Sequence, residues 1–189
     1  MKTAVKFLLI CLMICPFFVK AQSELRYGLG AALHVEAIDE LSIYNGIIIN
    51  PKIVFPFKAE HAISLGGAYT FCLNRNENYN NFITINFPIL VDYNYGLGSS
   101  MHSQKQTGFF AGMGYQSVIY GFNDITSGYV FNVGFRLLDL TPNRPKTANS
   151  FRIEKEGFMR VYFPDDDAYN QIIAIGLQFN FPTYPSTTQ

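Results

Sequence analysis

Two neighbouring residues of this chain have side chains of the types that nucleophilic catalysis uses. His102 and Ser103 are adjacent, and a histidine near a serine is the pair with which hydrolases, including lipid deacylases, activate a nucleophile. Neighbouring residues of an extended chain point in opposite directions, and no Gly-x-Ser-x-Gly elbow occurs in the sequence. The sequence therefore predicts no catalytic site.

Candidate metal and phosphate sites are equally weak. Asp165, Asp166 and Asp167 offer oxygen ligands for a divalent cation, but three consecutive acids are also typical of a solvated loop tip. The three histidines are dispersed, and no helix follows the glycine pairs at 96–98 and 112–114 to bind a phosphate. We therefore expect no metal and no cofactor.

The overall composition excludes several classes of protein. Hydrophobic residues make up 49% of the chain and charged residues only 15%, against roughly 25% in ordinary soluble domains. Such a chain has ample apolar surface to bury, which excludes intrinsic disorder. Its formal net charge is +0, so it has no basic field with which to bind nucleic acid.

Residues 1–21 are predicted to be a secretory signal peptide. Lys2 and Lys6 precede a 13-residue apolar stretch, 7–19, which is too short to span a bilayer. Val19-Lys20-Ala21 then offers a cleavage site, so we expect the mature chain to begin at Gln22. A lipoprotein signal ending at Cys15 is the alternative, but bulky Ile14 stands where a small residue is needed. After cleavage Cys72 is the only thiol, which excludes an internal disulfide.

Alternation of apolar and small or polar residues with period two is the main pattern of the remaining chain, and it predicts strands. Seven segments show it clearly, and an eighth shows it more briefly: 25–36, 43–57, 62–72, 82–95, 107–120, 128–138, 171–181 and 157–163. The segments between them are predicted to be connections: 37–42, 58–61, 73–79, 96–106, 121–127, 139–156 and 164–170.

The less apolar face of each strand decides between two architectures. A soluble barrel or sandwich turns a charged face to water, whereas here that face is rich in Gly, Ala, Ser, Thr and Asn. Small residues suit the crowded interior of a narrow barrel in a membrane. We therefore predict an all-β fold, an eight-stranded antiparallel up-and-down transmembrane β-barrel over 22–181, with a C-terminal tail at 182–189. Aromatic residues near both strand ends, including Tyr27, Phe181 and Tyr129, suggest interfacial girdles.

Two stretches carry a resemblance to a known family. Phe82–Tyr95 (FITINFPILVDYNY) and Gly108–Tyr115 (GFFAGMGY) resemble the motifs of the PorT-like and OmpA-like small outer-membrane barrels of the Bacteroidetes, and the signal sequence ending at Gln22 is similar to theirs. The resemblance implies a location in the outer membrane and specifies no activity. One departure is that residues 182–189 follow the terminal aromatic Phe181.

Charged residues that share the inward phase are the candidate functional residues, and we expect them to form a structural polar network in the lumen, since buried charges must be paired. They are Arg26, His34, Glu36, Lys52, Asp92 and Arg136, with Arg160 if 157–163 is a strand. A polar conduit is the alternative interpretation. The segment 139–156, with prolines and several charges, is interpreted as a linker that offers a possible partner site.

The predicted function is a structural, interaction or assembly role in the outer membrane without catalysis. Its expected partners are outer-membrane lipid and periplasmic or envelope proteins. Two alternatives stay open: a lipid-modifying barrel enzyme, and a soluble periplasmic barrel that binds an apolar ligand.

Overall fold

Antiparallel strands make up nearly all of the part of the chain that the computed structural model describes, which is residues 23–37, 41–76, 79–100, 103–121, 124–138, 153–166 and 170–182. The predicted signal peptide at 1–21 lies outside these residues. The strands are β1 (Glu24–Ala37), β2 (Leu41–Lys58), β3 (His61–Gly66), β4 (Tyr69–Asn76), β5 (Tyr79–Gly96), β6 (Thr107–Tyr120), β7 (Asp124–Leu138), β8 (Glu154–Pro164) and β9 (Ile172–Pro182). Among the described residues, none forms a helix of the length and apolarity that crosses a bilayer.

These strands form a closed ring. Consecutive strands pair antiparallel, except that β3 and β4 do not pair with each other. Because β1 pairs with both β2 and β9, the sheet of described residues has no free edge. Strands β3 and β4 both lie between β2 and β5, one above the other. Together they occupy one strand position of the barrel, and such a position is called a stave below. The described residues therefore form an eight-stave antiparallel barrel, which confirms the predicted fold class. Closure leaves the backbone hydrogen bonds satisfied within the wall, as a hydrocarbon surrounding requires.

The third stave is interrupted at Gly67 and Ala68, which the alternation did not predict. Pairing with β2 stops at Gly66 and resumes at Tyr69, and pairing with β5 stops and resumes around the same two residues. Pro51 of β2 and Pro88 of β5 flank the break, and neither carries an amide hydrogen for the ladder. The Gly67 amide donates to the Pro51 carbonyl at 3.1 Å.

Several strand ends differ from the prediction. Strand β4 continues to Asn76, β7 begins at Asp124 and β8 begins at Glu154, inside segments that were predicted to be connections. The correction at β8 matters most, because it moves Glu154 and Glu156 from a linker into the barrel wall. The expected linker thus ends before Glu154, and residues 139–152 lie outside the described residues.

The two ends of the barrel are named here by what they carry. The terminal end is where β1 begins and β9 ends, and the β2–β3, β5–β6 and β7–β8 connections lie there too. The loop end carries the other four connections, at 38–40, 77–78, 121–123 and 165–171. Unusually for a membrane barrel, the longest connections, 97–106 and 139–153, lie at the end with the termini.

Candidate functional site: a filled lumen

The barrel is apolar outside and polar inside. Leu29, Ile47 and Phe109, all on the outward phase, are 53%, 61% and 60% exposed, whereas Arg26 and Arg136 on the inward phase are buried. Of the described strand residues, the charged ones with outward-facing or exposed side chains are confined to strand ends, as at Lys58, Asp124 and Lys155. This arrangement is the inverse of a soluble protein and suits a wall surrounded by hydrocarbon.

The terminal half of the lumen holds a network of paired charges, referred to below as the charge network. It contains four basic and four acidic side chains, all buried: Arg26, Lys52, Arg136, Arg160, Glu24, Asp92, Glu154 and Glu156. Arg26 donates to Glu24 at 2.7 Å and to both carboxylate oxygens of Glu154 at 3.0 and 3.2 Å. The contact between Arg26 and Glu154 joins β1 to β8, since these two residues lie 128 positions apart.

Glu156 is the centre of the charge network. Its Oε2 accepts from Lys52 Nζ at 2.9 Å, from Arg136 Nε and from Asn180 Nδ2 at 2.8 Å, and its Oε1 accepts from Gln178. Four donors from three strands, β2, β7 and β9, thus converge on one carboxylate. Because a buried carboxylate is costly unless it is paired and hydrogen-bonded, this side chain fixes the relative positions of those strands.

Asp92 and Arg160 are linked through an amide rather than directly. Asn132 Nδ2 donates to Asp92 at 2.9 Å, and Arg160 Nε donates to Asn132 Oδ1 at 3.2 Å. The Arg160 guanidinium also lies 4.2 Å from the centre of the Phe158 ring. The cation is therefore held between a polar chain and an aromatic face, an arrangement that stabilises a desolvated guanidinium.

An apolar layer crosses the lumen beside the charge network. It is one cluster of buried side chains from six strands and from the break between β3 and β4: Ala32, Ile48, Ala68, Leu90, Phe110, Val130 and Phe158. The two phenyl rings occupy space that glycines on neighbouring strands leave free. A Cβ on Gly134 would lie 2.4 Å from the Phe110 ring, and one on Gly176 would lie 2.3 Å from the Phe158 ring. The inward glycines are therefore needed for packing of the layer.

The loop half of the lumen is mostly uncharged. His34 stacks on Tyr44 with ring centroids 5.2 Å apart, and neither imidazole nitrogen has a hydrogen-bond partner. Glu36 accepts a hydrogen bond from Tyr120 at 3.2 Å. Val118, Tyr162 and Ile172 form a second small apolar cluster at this level. Contacts here are aromatic and aliphatic, with few of the strong polar pairs that fill the other half.

The connection between β5 and β6 folds over the terminal end. Leu97 and Ser99 are buried, and Ser99 and Ser100 donate to the Ala59 carbonyl of the neighbouring turn at 3.3 and 2.9 Å. Gly96 and Gly98 have φ angles of 72° and 84°, which L side chains rarely adopt. A Cβ on Gly98 would also lie 2.6 Å from Arg136, so this glycine lets the connection approach the charge network.

The predicted lumen residues fall into two groups. Arg26, Lys52, Asp92 and Arg136 lie in the charge network, while His34 and Glu36 lie apart from them, in the loop half. The sequence interpretation missed Glu24, Glu154 and Glu156, the main acidic partners. The two from β8 keep the even-numbered phase of Phe158 and Arg160, a signal that could have identified them.

The remaining candidates give no constellation. Ser103 is buried in the connection at the terminal end, and its neighbour His102 lies outside the described residues, as does Asp167 of the acidic run. Within the described part of the chain, no three of the side chains His, Cys, Asp and Glu come together in a way that could hold a metal ion. Cys72 is a buried free thiol on the inward phase.

A cavity of about 890 Å³ is lined mostly by outward-facing apolar residues, among them Phe109, Val133, Met159 and Leu177. Gly157, an outer-face strand position without a side chain, is one of the lining residues. A cavity in this position faces the surroundings of the barrel. A soluble carrier, in contrast, would hold its apolar ligand inside the lumen.

Together the closed wall, its apolar exterior and its filled lumen define the fold that small outer-membrane β-barrels have. Solved structures with this fold are similar over most of their length. Ail, the attachment invasion locus protein of Yersinia pestis, has a TM-score of 0.54 at 10% identity, covering 87% of this chain and all of that one. Neisserial surface protein A has a TM-score of 0.50 at 12% identity, covering 84% of this chain and 96% of that one.

A second structure of Ail, in complex with the heparin analogue sucrose octasulfate, has a TM-score of 0.55 at 10% identity and covers 85% of this chain and 99% of that one. At these identities the likeness shows the fold alone. No protein-family profile matches the chain, and no curated protein matches its sequence.

Proposed function

We propose that this protein is a non-catalytic outer-membrane barrel with a closed lumen and a structural or interaction role. The observation that carries the proposal is the inverted polarity of the wall: aliphatic and aromatic side chains cover the outside, while the described charges of the strand interiors are buried in the lumen. A bilayer is the surrounding in which this distribution is stable.

The filled lumen supports an interaction role over a transport role. The apolar layer and the charge network lie in series across the barrel, and both are made of side chains packed against one another. An eight-stranded barrel has an interior just wide enough for such packing. The protein therefore acts through its surface and its ends, with the lumen serving as the core that holds the wall in shape.

The proposal also keeps two finer points from the sequence. Export depends on cleavage of residues 1–21 as a signal peptide, and the strand motifs support an origin among the small barrels of the Bacteroidetes. The connection between β7 and β8, which includes 139–152, remains the candidate for contacts with periplasmic or envelope proteins.

Several measurements test the proposal. Unboiled and boiled protein should migrate differently on a gel, and the protein should fractionate with outer membranes. Protein reconstituted in planar bilayers should give no single-channel conductance above the lipid background, and lipid A from a deletion strain should be unchanged. Mature protein that stays monodisperse in buffer without detergent would contradict a membrane location. A conducting lumen would contradict closure, and altered lipid A would indicate an enzyme.

A further inference from the structure

An aromatic layer on the outer face lies well short of the loop end. Tyr115 and Tyr129 are opposite one another on β6 and β7, with ring centroids 5.8 Å apart, and Tyr69 packs against Phe87 at 5.5 Å. Tyr129 is five positions inside the start of β7, and Tyr69 is seven positions inside the end of β4. The sequence interpretation had placed such tyrosines at strand ends. Aromatic rings of this kind mark the level of the lipid head groups.

Polar side chains follow this aromatic layer on its loop side. Ser117 and Ser127 are one outward position further along β6 and β7 and hydrogen-bond to each other at 3.0 Å. Tyr115 donates its hydroxyl hydrogen to Asp165 at 2.6 Å, and Asn45 is outward and exposed on β2. A carboxylate and three polar side chains are unfavourable in hydrocarbon, so the apolar part of the bilayer ends at this level.

Aliphatic residues reappear beside and beyond these polar side chains, with Leu73 opposite Asn45 in the register. They are called the aliphatic collar below: Ile43, Leu73, Ile83, Ile119 and Ile125. Leu73 pairs with Ile83, and Ile119 pairs with Ile125. Ile119 also pairs with Ile85, two positions from Ile83 on β5, so the apolar surface continues from β4 to β7. Leu73 is 75% exposed and Ile125 is 64% exposed. Together they present apolar area on the order of a few hundred Å², the size at which a patch in water is generally functional.

The residues that border the collar are acidic. Asp124 lies next to Ile125 at the loop end, and Asp165 and Asp166 follow the end of β8 at the same end. In the sequence around the loop-end connections, 37–43, 74–80, 119–126 and 164–171, Arg75 is the one lysine or arginine. A binding partner for this surface must therefore combine an apolar face with positive charge, since complementary charge steers association and excludes wrong partners.

We propose that the aliphatic collar stands outside the bilayer and binds a partner protein whose apolar face is bordered by lysine and arginine side chains. The inference rests on the proposed function, because it requires the barrel to lie in a membrane, and it names the surface through which the interaction role is exercised. The collar consists of side chains of the wall itself, and Leu73 and Ile125 are among its exposed members.

The first experiment measures depth in the membrane. The chain contains no tryptophan, so single Leu73→Trp, Ile125→Trp and Ile89→Trp variants in phosphatidylcholine vesicles each give a clean fluorescence signal. We expect aqueous iodide to quench the two collar variants and brominated lipid tails to quench the Ile89→Trp variant. Tail quenching of all three variants would place the collar in hydrocarbon and overturn the inference alone. Iodide quenching of the Ile89→Trp variant would overturn the proposed function as well.

The second experiment measures binding at the collar. The probes are two amphipathic helical peptides with the same leucine face, one bordered by lysine and the other by glutamate. We expect the lysine peptide to bind vesicles containing the protein about 10-fold more tightly than vesicles containing the Leu73→Ser/Ile125→Ser double variant. Asp124→Asn should weaken binding by about 2–3-fold, and the glutamate peptide should bind more weakly than the lysine peptide.

Two results would overturn the choice of partner. One is equal binding of the lysine peptide to both forms of the protein, or binding to neither. The other is a concentration-dependent dimer that the double variant loses, which would identify a second copy of the chain as the occupant. The Gln104→Ser variant, changed at an exposed position of the terminal end, is the matched control and should bind both peptides as the unmodified protein does.

Discussion

The two halves of the lumen are built from the same alternation of residues but are held together differently. In the terminal half, carboxylates and cations from distant parts of the chain converge, most of all at Glu156. In the loop half, stacked rings and aliphatic side chains fill the space, and His34 has no polar partner for either nitrogen. The comparison teaches that the polar contacts are concentrated in the terminal half, where Glu156 joins β2, β7 and β9, while the other half relies on packing.

The largest expected effect is at the centre of the charge network. Glu156→Ala would leave Lys52 and Arg136 buried without their shared carboxylate, which is expected to cost about 3–5 kcal/mol in the free energy of unfolding. Urea unfolding of the protein in detergent micelles measures this cost. Glu156→Gln keeps the shape of the side chain and loses its charge, so its free energy of unfolding should lie between those of the unmodified protein and the alanine variant. A loss below about 1 kcal/mol for the alanine variant would show that the network does not hold the wall together.

The outer faces of the two halves should respond differently to the same charge. Leu65→Arg lies in the terminal half at a position surrounded by hydrocarbon, where an arginine is expected to cost about 2–4 kcal/mol of folding into bilayers. Leu73→Arg lies in the collar and should cost about 0–1 kcal/mol, as near an interface. Equal costs at the two positions, measured by folding into lipid vesicles, would remove this difference between the halves.

A smaller effect is expected at the apolar layer that separates the halves. The methyl group of Gly176→Ala would lie 2.3 Å from the Phe158 ring, and the ring cannot move without disturbing the layer and the Arg160 contact. We expect a loss of about 1–3 kcal/mol in urea unfolding. Combining it with Phe158→Leu should recover part of the loss, and no recovery would mean that the ring is not the cause.

The smallest effect is expected in the loop half, and it should have the opposite sign. His34→Phe keeps the stacking on Tyr44 and removes two ring nitrogens that have no hydrogen-bond partner, so it should be neutral or stabilise the protein by up to about 1 kcal/mol. The same urea titration reports the change. Destabilisation by more than about 1 kcal/mol would show that His34 makes a polar contact on which this half depends.

Much of the wall was predictable because each strand carries its own signal. In 82–95 the alternation of Ile, Phe, Val and Tyr with small or polar residues defines both the strand and its two faces. The start of β8 was missed because prolines and charges upstream suggest a loop and because the exposed Lys155 breaks the apolar phase. The charge pairs could not be predicted from the sequence for another reason. The contact between Arg26 and Glu154 depends on closure of the barrel and on strand register, and the sequence of a single strand does not encode either.

The interrupted stave has a mechanical consequence. Pro51 on β2 and Pro88 on β5 flank the two-residue gap at Gly67 and Ala68. Fewer backbone hydrogen bonds therefore join the strands at this point of the wall. Local opening of the barrel wall should be most frequent at this break, and the strands should separate there before they separate elsewhere in the barrel. The barrel thus combines an ion-paired terminal half with one position in its wall that is expected to deform most easily.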